Sequence, residues 1–170
     1  MSVPTLGPAR EELPGTDLRL LGNLLTAEQR ERGSDLVVGP RASATGETPG
    51  EVVRNDDLVP VTGFENLQQA LLLRFLTEVG ELAHLGHPTY GSRLHELVGQ
   101  PNTPATRDRA RLYALQALTA EPRVAQVRTL TVTTDLTDRT TILVRAAVVA
   151  IDRVTELNLV FPVPLAGGAL

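Results

Sequence analysis

Between Glu121 and Val124 the apolar residues of this chain change their period, and that change limits the possible folds more than any other feature. Upstream, apolar residues recur at helical spacing; downstream, they alternate in strand fashion over 124–133, 140–151 and 156–165. Helices followed by strands make an α+β domain. Pro122 stands at the break, where it disfavours helical geometry at Glu121 and removes a backbone donor.

Three helices are predicted. Thr62-Gly63-Phe64-Glu65 has the form of a capping box and starts the first, which runs through Val79 to Gly80. Its apolar positions cover most of the circumference, leaving Glu65, Gln68 and Gln69 as a narrow wet strip and Arg74 in need of a partner or a route to water. Ser92 offers an N-cap for a short helix through Val98. Thr103, with Pro104 at the first helical position, opens the third, whose inner stripe is Ala110, Tyr113, Ala114, Ala117 and Leu118.

The predicted strands are joined by Asp-rich turns at Asp135/Asp138 and at Asp152. The middle strand is apolar on both faces except at Arg145, so it is expected to be central and covered by helices. Pro162 and Pro164 share one parity in the last strand and place it at an edge, blocked against further pairing. Residues 1–62 hold short apolar clusters, each behind an Asp (Asp17, Asp35, Asp57), and read as a loose meander with a loop over 39–50; the alternative is a disordered arm. The expected organisation is an N-terminal extension with short strands over 1–62, and over 63–170 an α+β domain of three main helices packed on a small, mostly antiparallel sheet.

Charge and composition narrow the function. Residues 1–62 carry ten acids and six Arg, whereas residues 63–170 carry ten of each, so the part with the motifs is neutral and unsuited to a general nucleic-acid surface. The longest plain apolar run, Ala146 to Ile151, is far short of the ~20 residues that a membrane helix needs. There is no Cys. His84, His87 and His95 lack a source for a fourth zinc ligand, and no cofactor motif occurs. Arg107, Arg109 and Arg111, two apart, spread around a helix and make no phosphate ridge. Glu78 and Glu81 invite comparison with a hydrolase pair. They lie, however, at a Gly-punctuated helix end where solvent levels both, and a chain with no Trp and two Tyr has few platforms for sugar.

The order Gly80-Glu81, Tyr90-Gly91-Ser92-Arg93-Leu94 and Glu121-Pro122-Arg123, with the last triplet between helix and sheet, resembles the baseplate wedge proteins of contractile phage tails, type VI secretion and extracellular contractile injection systems. Leu82 stands where that family commonly has Arg. The resemblance covers about residues 55–165. It implies a non-enzymatic structural subunit without cofactor or metal, assembled in the bacterial cytoplasm into a phage tail or tail-like particle, including particles released from the cell. The implied partners are wedge scaffold proteins, the sheath protein and tube or spike-hub proteins. Glu121, Pro122, Arg123, Glu81, Tyr90 and Gly91 are the implied partner-binding residues, and a sheet edge without prolines would template the sheath by strand addition. Arg123 could instead bond a carboxylate of its own chain and pin the junction. The rival readings are a free-standing protein-binding adaptor of the same fold and a peptidoglycan hydrolase.

Overall fold

The computed structural model describes residues 15–20, 36–40, 56–151 and 156–165. Gly, Pro and Asp keep the first strands short: β1 (Thr16–Leu18), β2 (Val38–Pro40), β3 (Asp56–Leu58) and β4 (Pro60–Thr62). They pair antiparallel as β1 with β4 and β2 with β3, an order nested rather than sequential. Main-chain bonds from Arg19 to Val59, Val37 to Arg19 and Val59 to Val37 bring the three apolar clusters together. Gly39 and Pro40 belong to β2 rather than to the expected loop, and the expectations at Asp35 and over 41–50 lie outside the described residues.

Helix α1 (Gly63–Leu76) begins at Thr62 as expected, but the Thr62 side chain makes no capping bond. Glu65, its presumed partner, is taken by Arg19 at 2.5 Å, and Gln69 accepts from the Leu20 N–H at 3.0 Å while donating to the Leu18 carbonyl at 2.9 Å. Two residues of the strip read as wet therefore hold β1 against the helix. Gln68, the third residue of that strip, is exposed on the helix.

The helix also stops earlier than Val79. Thr77 turns extended and sends both its N–H and its hydroxyl to the Leu73 carbonyl, at 2.9 Å each. This satisfies a helix-end acceptor and frees the next residues to bond elsewhere. The chain then makes a 3₁₀ turn at Ala83–Leu85 and returns, so that Ser92 donates to the Thr77 carbonyl at 2.9 Å and accepts from Val79 at 3.1 Å.

The expected middle helix is one 3₁₀ turn, Leu94–Leu97, bounded by Gly91 and Gly99 at positive φ. Val98 turns extended at φ −60 and ψ 131 and ends it, and the Ser92 hydroxyl is sent back to the Phe75 carbonyl at 2.9 Å instead of capping a longer helix. Among the described residues there are thus two α-helices and not three main ones. The second, α2 (Pro104–Thr119), follows its sequence signals: Thr103 Oγ1 accepts from the Thr106 N–H at 3.2 Å, and all five residues of the inner stripe are buried.

Strands β5 (Val124–Thr134), β6 (Thr141–Ala150) and β7 (Glu156–Pro164) form an antiparallel sheet in that order. The β5–β6 turn is held by Asp135, which accepts from Thr137, and Asp138, which accepts from Thr140 and Thr141; the turn expected at Asp152 lies outside the described residues. Ile142, Val144, Ala146, Val148 and Ala150 point to α1 and α2 and form the core with Leu67, Leu71, Leu118, Leu159 and Phe161. Phe75 and Phe161 meet with centroids 5.1 Å apart. The helices cover one face of β6 only. On the other, Arg145, Val160, Thr129 and Thr131 are exposed, so the expected covering on both sides does not occur. Small Ala147 lies low between its neighbours and is buried without a helix above it.

Strand β7 is an edge, as its prolines require. The Leu165 N–H bonds the Thr140 carbonyl at 2.8 Å, and alternation along the ladder then turns Pro162 and Pro164 away from β6. Among the described residues no helix is long and apolar enough to cross a membrane.

Phe75→Ala removes a fully buried ring from the helix–sheet contact. We expect urea unfolding to show a loss of about 3–5 kcal/mol, whereas Leu136→Ala, at a position 99% exposed, stays within about 0.5 kcal/mol of the wild type.

Candidate functional site

Pro122 ends the helical half, and the chain turns there so that Glu121 faces inward and Arg123 runs beside it into β5. Glu121 is buried at 5% exposure. Its Oε2 accepts from Arg74 Nη2 at 3.1 Å, and its Oε1 accepts from Arg123 Nε at 2.6 Å. Arg74 is itself buried at 6% and reaches Glu121 from α1. The Tyr90 ring lies against the Arg74 guanidinium, 4.4 Å from ring centre to central carbon. Two guanidiniums thus share one carboxylate, and an aromatic face stabilises the deeper of them. Among the described residues Arg74 Nε has no hydrogen-bond partner, so the pair satisfies most but not all of the donors it buries.

Opposing influences set the titration of this cluster. Burial pushes the Glu121 carboxyl up, but the hydrogen bonds and charges of Arg123 and Arg74 together outweigh it and hold the group below the ordinary glutamate value. Burial raises the Tyr90 hydroxyl above its usual value, more than the Arg74 and Arg123 charges lower it, with Glu121 and Asp17 adding to the rise.

Of the six residues singled out in the sequence, Glu121 and Tyr90 meet at Arg74, and Arg123 joins them through Glu121. Pro122 is exposed beside them, and the Arg123 side chain keeps 28% of its surface in solvent. Gly91 serves a different purpose. At φ +112 it presses on the chain leaving α1, where a Cβ would stand 2.7 Å from the Glu78 carbonyl group and from the Thr77 oxygen. Glu81 is not part of the cluster's bonds; it lies exposed on the loop and accepts from the Glu78 N–H at 3.1 Å. Arg74 was missed as a site residue. Its signal was a single cation at an otherwise apolar position of a buried helix.

A second ionic unit is separate from this one in its bonds. Arg93 bonds Glu96 through two nitrogens at 2.7 and 2.9 Å, stands over the Tyr113 ring at 4.6 Å, and Tyr113 donates to the same carboxylate at 3.1 Å. Glu78 and Glu81, the pair with hydrolase spacing, are both exposed and belong to one loop rather than to opposite walls of a cleft. Among the described residues no group of three or more His, Cys, Asp or Glu is placed to hold a metal ion.

No family model and no curated protein matches the sequence. The fold is similar to the crystal structure of a protein from Geobacter sulfurreducens that carries the provisional name of tail lysozyme. The TM-score is 0.53 at 22% identity, over 62% of this chain and 93% of that one. At that identity the likeness is one of fold.

Because Glu121 binds its proton less readily folded than unfolded, its contribution to stability is complete above the ordinary glutamate range and is lost as pH falls through its lowered folded value. Asp135 and Asp138, held low by hydrogen bonds from Thr137 and from Thr140 and Thr141, add in the same direction. Urea unfolding at neutral pH is therefore expected to show Glu121→Gln less stable by about 3 kcal/mol, with a shallower but not flat loss of stability below about pH 4. Gly91→Ala, strained by φ and by the close backbone, is expected to cost more than about 2 kcal/mol in the same measurement.

Proposed function

We propose that this protein is a non-enzymatic wedge subunit of a contractile phage tail or tail-like injection particle. It docks on scaffold helices through the Glu121-Pro122-Arg123 corner and receives a strand from the sheath at β5. The observation that carries the reading is the asymmetry of the sheet: β7 is closed by two outward-turned prolines, whereas the other edge, β5, is 11 residues long and has no proline. A sheet extendable in one direction suits a part that starts a strand-linked array. The likeness of fold to a protein named for a phage tail supports the same setting.

The corner suits docking because its geometry is fixed from within. Glu121, itself fixed by Arg74, bonds Arg123, so a partner carboxylate that meets the solvent-facing part of its guanidinium finds an ordered group. The exposed, single-loop placement of Glu78 and Glu81 supports the absence of a glycosidase site, which would need carboxyls across a substrate cleft.

The test is purification of the tagged full chain from cells that make the particle. It is expected in large assemblies with sheath and scaffold proteins, and Arg123→Ala is expected to leave those assemblies while its Tm falls by no more than about 4 °C. Recovery with one small soluble partner would support an adaptor, and clearing of a peptidoglycan suspension would support a hydrolase. Either result overturns the proposal.

A further inference from the structure

The open edge of β5 is not uniform. Register shifts between Val124 and Gln126 and between Val127 and Thr129 break the ladder in its first half, while Thr129 to Thr134 pairs regularly with β6. Bulges discourage pairing, so an incoming chain finds a regular template only in the second half. The Asp135 N–H bonds the Thr141 carbonyl at 2.9 Å, and alternation from that point turns the N–H and C=O of Leu130 and Val132 away from β6.

Beside this stretch, between the strand and the flank of α2, runs an open groove of about 490 Å³. Leu130 and Val132 contribute its apolar surface, and Arg107, Asp108 and Arg111 line its helix side. Arg107 and Arg111 are four residues apart and so share a helix stripe, while Arg109 leaves it to reach Gln100 at 3.4 Å. Arg107 is oriented by a 2.7 Å bond to Asn102 Oδ1. One acid against two guanidiniums leaves the groove cationic.

The geometry points to an acidic, extended peptide strand as the occupant of this edge, one whose groove-facing side chains are apolar except for a carboxylate that meets Arg107 and Arg111. The inference deepens the proposed function and rests on strand acceptance at β5. Main-chain bonds to Leu130 and Val132 supply affinity without sequence information. Alternate side chains of the added strand enter the groove, where the floor selects apolar groups and the two Arg select an acid. A basic residue at that position would meet both guanidiniums at close range, so the pair also rejects wrong strands.

The experiment titrates the nitrogen-labelled full chain with two short capped peptides that alternate threonine with valine, one carrying a central glutamate and the other a lysine in its place. The pattern reads the same in either direction, so the result does not depend on strand polarity. The glutamate peptide is expected to shift the Leu130 and Val132 amide signals and to bind about fivefold tighter than the lysine peptide, a preference that fades in ~1 M salt. Arg111→Glu, an exposed substitution, is expected to reverse the order. Equal binding of both peptides, unchanged by Arg111→Glu, overturns the charge inference and leaves strand acceptance standing. Failure of both peptides to shift either amide at millimolar concentration overturns strand acceptance and the charge inference together.

Discussion

The buried pair of Arg74 and Glu121 is the interaction on which the arrangement depends. It joins the last turn of the first long helix to a residue just past the end of the second, at the point where helices give way to sheet. Two charges removed from water cost several kcal/mol each unless each finds a well-directed partner. That requirement explains the neighbours: Arg123 on the second carboxylate oxygen and Tyr90 on the guanidinium face. An apolar pair of similar volume would pack as well but would leave the relative setting of the helices free to slide. The ion pair fixes one register, and so fixes where β5 begins.

From that starting point the sheet acquires different sides and different edges. One face is buried under α1 and α2, and the other presents Arg145 and Val160 to solvent. One edge carries outward prolines, and the other, without proline, runs beside a groove lined by Arg107 and Arg111. Such asymmetry makes the two faces and the two edges chemically distinct, which a symmetric sheet would not be.

Much of this was legible in the residues, and the reasons differ from place to place. The three long strands, the proline-blocked edge and the Thr103–Pro104 start are encoded locally, by alternation, by missing donors and by a side-chain cap, and local signals are read directly. The end of α1 at Leu76 and the single turn at Leu94–Leu97 depend on Ser92 bonding back to Thr77 and Phe75, contacts set by the fold and not by spacing. Glu65 satisfied the capping-box pattern, yet Arg19, 46 positions away, took the carboxylate. At the site, the triplet Glu121-Pro122-Arg123 stood out, but the inward direction of Glu121 followed from Arg74, whose significance lay in a mismatch with its apolar surroundings. Arg107 and Arg111 were read together with Arg109 as a dispersed set. Their four-residue spacing already put Arg107 and Arg111 on one stripe, apart from Arg109, which reaches Gln100.

The return of the chain at Ser92 gives the excursion between Thr77 and Gly91 a closed neck, made of two main-chain bonds and the tight approach of Gly91. Material beyond a neck of this kind is mechanically separate from the body, and closure entropy rises only slowly with the number of residues looped out. Ala83 to His87, exposed throughout, therefore forms a bay in which lineages can add or delete residues while helix, sheet and ionic corner keep their places. Divergence in this protein's relatives should accumulate first at that tip and last at its throat.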